Sequence, residues 1–409
     1  MEAMSPRLAY LIHTFPLFSL TFIVDEIVTM RRLGASIAIY GVRKPGLGEY
    51  PGSYQCYCDE THYALPVKVF WHGLMHLKWL FGHPGRYLSC LWFIAATPGC
   101  SWRQRSKLLG YLCEAVALAE RITPARYDHL HVHFLFGGTL IALFLKRLTG
   151  IRYSVTAHGS DFLVDRWLLA EKVHHADFVR VGTRFNAEFI ADRIAPADKD
   201  KLFVLPFGID HKELIGDRET VIHQIAQRNN LPPKIINVGR LVWQKGQTVL
   251  IEAAHILASR GIGFRLEIIG EGELRSAIEG LIARYGLQSR VVLRGALPRN
   301  EVLKAMRGAD IFAFSSVSEG FGIVLLEAML CGLAVVAPDI TGVSEIVTDG
   351  QTGTLYHTQN ALVLADCLKQ LIVDEGLRRR YQLSALDDVL TRFDHIDKVD
   401  QLYQRMVEQ

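Results

Sequence analysis

Residues 310–332 read DIFAFSSVSEGFGIVLLEAMLCG. An apolar run of strand length, 310–316, breaks at a Gly-Phe-Gly turn and resumes as an apolar run of helical length, 322–331. A buried strand feeding straight into a buried helix is half of a βαβ unit. The same alternation recurs on both sides. Strands are expected at 234–240, 264–270, 290–295 and 333–339, with helices at 246–260, 273–285 and 299–308. Strands of unbroken Val, Ile and Leu are buried on both faces, which points to a parallel, doubly wound sheet.

The first half repeats the theme, with strands expected at 7–13, 36–42, 129–134, 152–158, 177–183 and 201–208. Helix-compatible sequence over 60–125 interrupts it. At 409 residues the chain exceeds a single core, so two domains are expected. The divisions read as 1–210, an N-terminal Rossmann-like domain; 211–233, a linker with a short helix; 234–390, a second Rossmann-like domain; and 391–409, a helix returning toward the first. Two such α/β domains leave a cleft between the carboxyl ends of facing strands, where sheets of this kind bind ligands.

Forty-five basic residues against 42 acidic ones give a net charge of +3, far from the excess of a dedicated nucleic-acid binder. Seven scattered cysteines argue for reduced thiols in the cytosol rather than a disulfide framework. The N-terminus lacks the apolar core of a signal peptide. The longest apolar stretches, 134–145 and 87–96, are too short to span a bilayer. The charge is uneven. Residues 66–110 hold Lys68, Lys78, Arg86, Arg103, Arg105 and Lys107, no acid, and four of the six tryptophans, Trp71, Trp79, Trp92 and Trp102. That mixture suits the interface of an anionic membrane and equally a helical insertion packed on the first domain.

Glu319 sits in the strand-to-helix turn and Glu327 lies within the helix. The first N–H groups of that helix, residues 321–324, have no intrahelical partner, and with the positive helix end they form an anion site suited to phosphate. The two acids are too far apart to share one atom, and they fit two ends of an extended ligand. Arg240 follows a strand and Lys245 opens the next helix; two fixed cations there match a diphosphate. The run IIGEGELRSA, 268–277, matches a dinucleotide fingerprint only in part, with Arg275 at the third glycine position, which disfavours a nicotinamide oxidoreductase. In the first half, His158 and Asp161 follow a strand, and Ser19 or Thr21 could cap a helix. No Ser/His/Asp or Cys/His triad spacing suggests itself, and no D-x-D motif suggests a metal-diphosphate site.

Together VGRLVWQKG (238–246), IIGEGELR (268–275), RGALPRNEVLKAMRGADIFAFSS (294–316), SEGFGIVLLEAMLCGLAVVAPDITGVSEIV (318–347), AHGSD (157–161) and LPFGID (205–210) resemble glycosyltransferase family 4. These are retaining enzymes of the GT-B fold, and the likeness is to the branch that includes colanic-acid assembly. It is strong over 234–356 and looser over 7–210. The resemblance implies that Arg240 and Lys245 clamp the donor diphosphate together with the turn Gly320–Phe321 and the N–H groups of Gly322, Ile323 and Val324. It implies Glu319 on hydroxyls of the donor sugar, Glu327 on the ribose, Gly270 and Gly272 along the nucleotide, and Arg294 and Gly295 beside the base. His158 would stand at the anomeric centre, with Asp161, Ser19 and Thr21 on the acceptor side.

The implied reaction moves a sugar from a nucleotide-diphosphate sugar to a hydroxyl of a lipid-linked or glycan acceptor, with retained configuration and no metal or further cofactor. The implied place is the cytoplasmic face of the membrane. One departure stands out: many polysaccharide-building relatives have Ser-Glu-Thr-Phe where this chain has Ser19-Leu20-Thr21-Phe22. Competing readings are a nucleotide-sugar epimerase, which would turn over without an acceptor, and a non-catalytic nucleotide-sugar-binding subunit, which would not need the full charged set.

Overall fold

The computed structural model describes residues 6–46, 48–66, 69–163, 165–229, 231–357 and 359–408. The chain divides into two compact units, Met1–Leu205 with Val399–Gln409, and Pro206–Lys398.

In the first unit, β1 (Arg7–Thr14), β2 (Ser36–Arg43), β3 (His62–Tyr63), β4 (His129–His133), β5 (Tyr153–Ala157), β6 (Val179–Val181) and β7 (Leu202–Val204) form one sheet. Its order is β3-β2-β1-β4-β5-β6-β7, and every pairing is parallel. The pleat sends alternate residues to opposite faces. Leu8, Tyr10 and Ile12 pack with helix Thr21–Arg32 and with Val399, Leu402, Tyr403 and Met406 of the C-terminal helix. Ala9 and Leu11 pack on the other face with the nearly all-buried helix Gly137–Thr149.

In the second unit, β8 (Lys234–Val238), β9 (Arg265–Ile269), β10 (Val291–Gly295), β11 (Ile311–Ala313), β12 (Ala334–Pro338) and β13 (Gly353–Tyr356) pair in the order β10-β9-β8-β11-β12-β13. This sheet is also wholly parallel. Ile235, Ile311, Ala334 and Val336 enter one core, while Ile236, Phe312 and Val335 enter the other. Both sheets therefore reverse direction of growth once, between β1 and β4 and between β8 and β11. Loops at the carboxyl ends of such neighbouring strands diverge and leave room for a ligand.

The expected strands and helices are present with trimmed ends. The edge strands β3 and β13 were not expected. Two residues of β3 carry no periodicity, and β13, Gly-Thr-Leu-Tyr, is half-buried, so its apolar signal is diluted. Helices Ala361–Val373 and Glu375–Arg392 cover the second sheet beyond β13. The stretch read as a linker is helical over His211–Ile215 and Arg218–Gln227, and Val221 and Ile225 are buried in the second unit's core. Arg228 fixes its end by donating to the carbonyls of Arg307, Cys331 and Gly332.

The interval between β3 and β4 carries three helices, Val69–Gly82, Pro84–Ala96 and Trp102–Leu118. Trp79, Tyr87, Cys90, Phe93 and Leu112 face the core. The opposite side is apolar too: Phe70, Trp71, Leu74, Leu77 and Phe81 form one exposed stripe at helical spacing, followed by Leu88, Trp92, Trp102 and Leu109. Among the described residues no helix is long and apolar enough to cross a membrane.

Candidate functional site

The second unit's sequence-predicted residues gather at the carboxyl ends of β8, β9, β10 and β11. After β8 the chain passes Arg240, which is exposed and makes no side-chain hydrogen bond or ion pair among the described residues. It then turns through Trp243–Lys245 into helix Gln247–Ser259. Gly246, at φ +61°, makes that turn possible, since a Cβ there would lie 2.1 Å from the Ser315 carbonyl oxygen. Ser315 Oγ donates to the Lys245 carbonyl at 2.8 Å, and the Val317 N–H to the Gln244 carbonyl at 2.8 Å. The loops after β8 and β11 are thus laced together across the switch point.

Lacing brings Lys245 Nζ to 2.5 Å from Glu319 Oε2, with the ammonium 5.6 Å from the Phe314 ring centroid. Three residues on, Gly322 (φ +87°) caps helix Ile323–Leu330. The Leu325 N–H bonds the Gly322 carbonyl at 2.9 Å, so the N–H groups of Ile323 and Val324 have no acceptor within the helix. Ammonium and helix N-terminus together present positive potential beside the carboxylate of Glu319. Phe321 does not join them; it is buried against Phe207 and Phe393.

Glu327 is mostly buried one turn into the helix, with Arg299 Nη2 at 3.3 Å. Burial raises its pKa above the ordinary carboxylate value, against the pull of Arg299. Gly270 and Gly272 follow β9. The Gly270 backbone passes so close to β8 that a Cβ would lie 1.9 Å from the Gly239 carbonyl oxygen, and its N–H bonds the Gly295 carbonyl at 2.9 Å. Arg294 reaches Glu267 at 3.5 Å, whose other oxygen holds Lys234 at 2.5 Å.

In the first unit, helix Thr21–Arg32 begins at Thr21 itself, with Leu20 at the N-cap and no side-chain cap; the Ser19 side chain lies outside the described residues. His158 follows β5 and is flanked by the rings of Phe134 and Phe22, at 4.3 and 5.1 Å between centroids. Its pKa is well below the usual histidine value, because of burial and then the nearby His133 and Arg180, with Glu26 opposing. Asp161 is fully buried and accepts the backbone N–H groups of Leu135, at 2.5 Å, and His158, at 3.1 Å. Burial pushes its carboxyl up to about 7, against those backbone donors and Lys172. Asp161 therefore braces the two loops after β4 and β5.

A group that sequence reasoning missed lies beneath His158. Glu26, buried, accepts from Tyr10 Oη at 3.0 Å, from His133 Nε2 at 3.1 Å and from Arg180 Nη1 at 2.9 Å. Burial would raise the Glu26 carboxyl; His133 and Arg180 overcome it and hold the group below the ordinary range. The alternating histidines of HLHVH, 129–133, were the available signal. Among the described residues, two groups of side chains have ligand spacing for a metal, Glu26 with His131 and His133, and His72 with His76 and Cys113. In the first, Arg180 supplies the positive charge. In the second, His76 lies within hydrogen-bond reach of both Tyr87 and His72.

Residues 218–386 match the family of glycosyl transferases group 1. The chain is 29% identical over 413 residues to the amylovoran biosynthesis glycosyltransferase AmsK of Erwinia amylovora, covering 95% of this chain and 96% of that one. It is 32% identical over 238 residues to the N-acetylgalactosamine-N,N'-diacetylbacillosaminyl-diphospho-undecaprenol 4-alpha-N-acetylgalactosaminyltransferase of Campylobacter jejuni, covering 58% of this chain and 61% of that one. Among solved structures, Anabaena Alr3699/HepE in complex with UDP and glucose superposes with a TM-score of 0.70 at 15% identity, covering 99% of this chain and 100% of that one. That likeness gives the fold as GT-B. With two parallel Rossmann-type sheets, the group 1 family's sequence over residues 218–386 and full-length similarity to polysaccharide glycosyltransferases, the chain is similar to the group 1 glycosyl transferases.

Proposed function

We propose that this enzyme transfers a sugar from a nucleoside-diphosphate sugar to a hydroxyl of a lipid-linked glycan during assembly of a cell-surface polysaccharide. The observation that carries this is the meeting of Lys245, Glu319 and the N-terminus of helix Ile323–Leu330 at one switch point. In this reading Arg240, Lys245 and the N–H groups of Ile323 and Val324 take up charge as it develops on the departing diphosphate. Glu319 holds hydroxyls of the donor sugar, and Glu327 the ribose. His158 stands by the anomeric carbon. The acceptor hydroxyl attacks on the face the diphosphate leaves, and the leaving phosphate oxygen takes its proton. Retention then needs positioning and charge stabilisation rather than a covalent carboxylate. The names of the amylovoran and diphospho-undecaprenol relatives support a polysaccharide and a lipid-linked acceptor.

The same proposal assigns the exposed apolar face of the three-helix insertion to the surface of an anionic bilayer. Trp102 is 89% exposed, Phe81 77% and Trp92 72%, a display suited to the headgroup region. The cations contribute less than their number suggests. Arg86 donates to the Leu148 carbonyl, Arg105 caps the helix ending at Ala96, and Lys78 pairs with Glu120. Arg103 and Lys107 are exposed, and Lys68 lies outside the described residues. The test is transfer from a panel of nucleotide sugars to a polyprenyl-diphosphate-linked sugar in vesicles. Product with the α or β configuration of the donor supports the reading; conversion of the donor without acceptor, or no turnover with any donor, defeats it.

A further inference from the structure

Helix Val69–Gly82 places His72 and His76 four residues apart, one turn from each other on a single face. Their Nε2 atoms stand 3.2 Å apart, with 4.8 Å between ring centroids and 80° between ring planes. Cys113, from helix Trp102–Leu118, joins them: one ring nitrogen of each histidine and Cys113 Sγ all lie within 4.8 Å of one another. The remaining helix of the insertion, Pro84–Ala96, takes part through Tyr87, whose Oη meets His76 Nδ1 at 2.8 Å. All three helices of the insertion therefore converge on this cluster, which lies wholly in the first unit.

Hydrogen bonding alone uses these groups poorly. Two imidazole nitrogens facing each other can share only one hydrogen. His72 has nothing else, since its Nδ1 is buried with no hydrogen-bond partner among the described residues. Cys113 is a free, half-buried thiol. An ion fits the same geometry closely. Two nitrogens about 2.0–2.1 Å from one tetrahedral Zn²⁺ stand about 3.3–3.4 Å apart, near the separation that the helix already imposes. A nitrogen–sulfur edge of that tetrahedron is about 3.6 Å, so the sulfur has about 1 Å to travel at most. Tyr87 Oη can accept the Nδ1 hydrogen of His76, which leaves Nε2 bare for the metal, the arrangement usual for a ligating histidine. No other contact ties the hydrogen of His72 to its Nε2. Two imidazoles and a thiolate suit a borderline-soft transition ion; Mg²⁺ and Ca²⁺ need oxygen ligands that this cluster lacks.

We propose that His72, His76 and Cys113 bind one Zn²⁺ ion, with water in the fourth position, and that the ion clamps the first helix of the insertion to the third. His72 and His76 lie on the side of their helix opposite Phe70, Leu74, Leu77 and Phe81, which are exposed. The clamp thus sets the attitude in which the aromatic stripe is displayed. Nothing in this assignment depends on the reaction proposed above.

The test uses the full chain, stripped with a chelator and then given Zn²⁺ or Co²⁺ alone under reducing conditions. Competition titration should give one ion per chain. Co²⁺ should give the visible absorption of a tetrahedral site together with a thiolate-to-cobalt charge-transfer band. Zn²⁺ should raise protection from hydrogen exchange in the three helices of the insertion and leave the second unit unchanged. Tyr87→Phe should keep the band and weaken binding by about 10–100-fold, as for outer partners of a ligating histidine. Cys113→Ser with His76→Ala should lose the band and weaken binding further than that. Absence of binding, Co²⁺ bound without a thiolate band, or Zn²⁺ affinity that survives Cys113→Ser with His76→Ala overturns the inference, the last marking an adventitious surface histidine. If the variants fail to fold, X-ray absorption of zinc on the wild-type chain decides: two imidazoles and one sulfur uphold the site, and a shell without sulfur overturns it.

Discussion

The Lys245 ammonium and the Glu319 carboxylate meet at 2.5 Å across the switch point of the second sheet, each about one-fifth exposed. In the ligand-free protein each neutralises the other. On the proposed reading, a diphosphate entering this site would compete with Glu319 for Lys245. Lys245→Met is therefore expected to weaken binding of the nucleoside diphosphate, and Glu319→Gln to leave it unchanged or tighter. Both should lower the transfer rate, by about 100-fold or more for a group that stabilises developing charge. Calorimetric titration with UDP and steady-state rates separate the two effects; equal loss of UDP affinity in both variants would refute the assignment.

Gly246 admits no side chain. Alanine there combines a positive φ with a Cβ 2.1 Å from the Ser315 carbonyl oxygen. Gly246→Ala should cost about 2–4 kcal/mol of stability and part the loops that carry Lys245 and Glu319. Urea melts give the stability, and UDP affinity should fall with it.

Acid should loosen the first unit before it touches carboxylates. Burial lowers His129 to about 4 and holds His131 and His158 well below the usual histidine value. Between about pH 6.5 and 4 the unfolded chain binds protons that these folded histidines refuse, so stability present above 6.5 is lost as the pH falls; His129 alone accounts for about 3 kcal/mol. Asp161, held up to about 7, works in the opposite sense, since its folded form takes a proton that the unfolded one lacks above about 4. Asp161→Asn should steepen the acid loss. Denaturant midpoints at pH 7.5, 6 and 5 for both proteins check it.

Trp92→Ser with Trp102→Ser should abolish most sedimentation with vesicles of anionic lipid, while turnover of a soluble acceptor analogue persists. Binding unchanged by both substitutions would remove the membrane role of this face.

Much of the architecture could be read from the sequence because parallel strands are buried on both sides and therefore spell themselves as unbroken apolar runs; Ala334–Pro338 is one. The glycine turn into the helix Ile323–Leu330 was equally legible, since glycines and an N-terminal helix end are local features. The partners of the acids were not. Glu26 meets His133 and Arg180 at separations of 107 and 154 residues, and Glu327 meets Arg299 from the preceding helix. No periodicity encodes such pairs; only the folded sheet assembles them. Arg86 and Arg105 misled for the related reason that a cation's partner can be a helix carbonyl, which every sequence offers.

The aromatic stripe of the insertion has a cost outside the cell. Phe81, Trp92 and Trp102 stand bare in plain buffer, and a second molecule offers the same cover that a bilayer would. Purified without lipid or detergent, the enzyme should self-associate as its concentration rises, and its specific activity should depend on what the preparation leaves against that face.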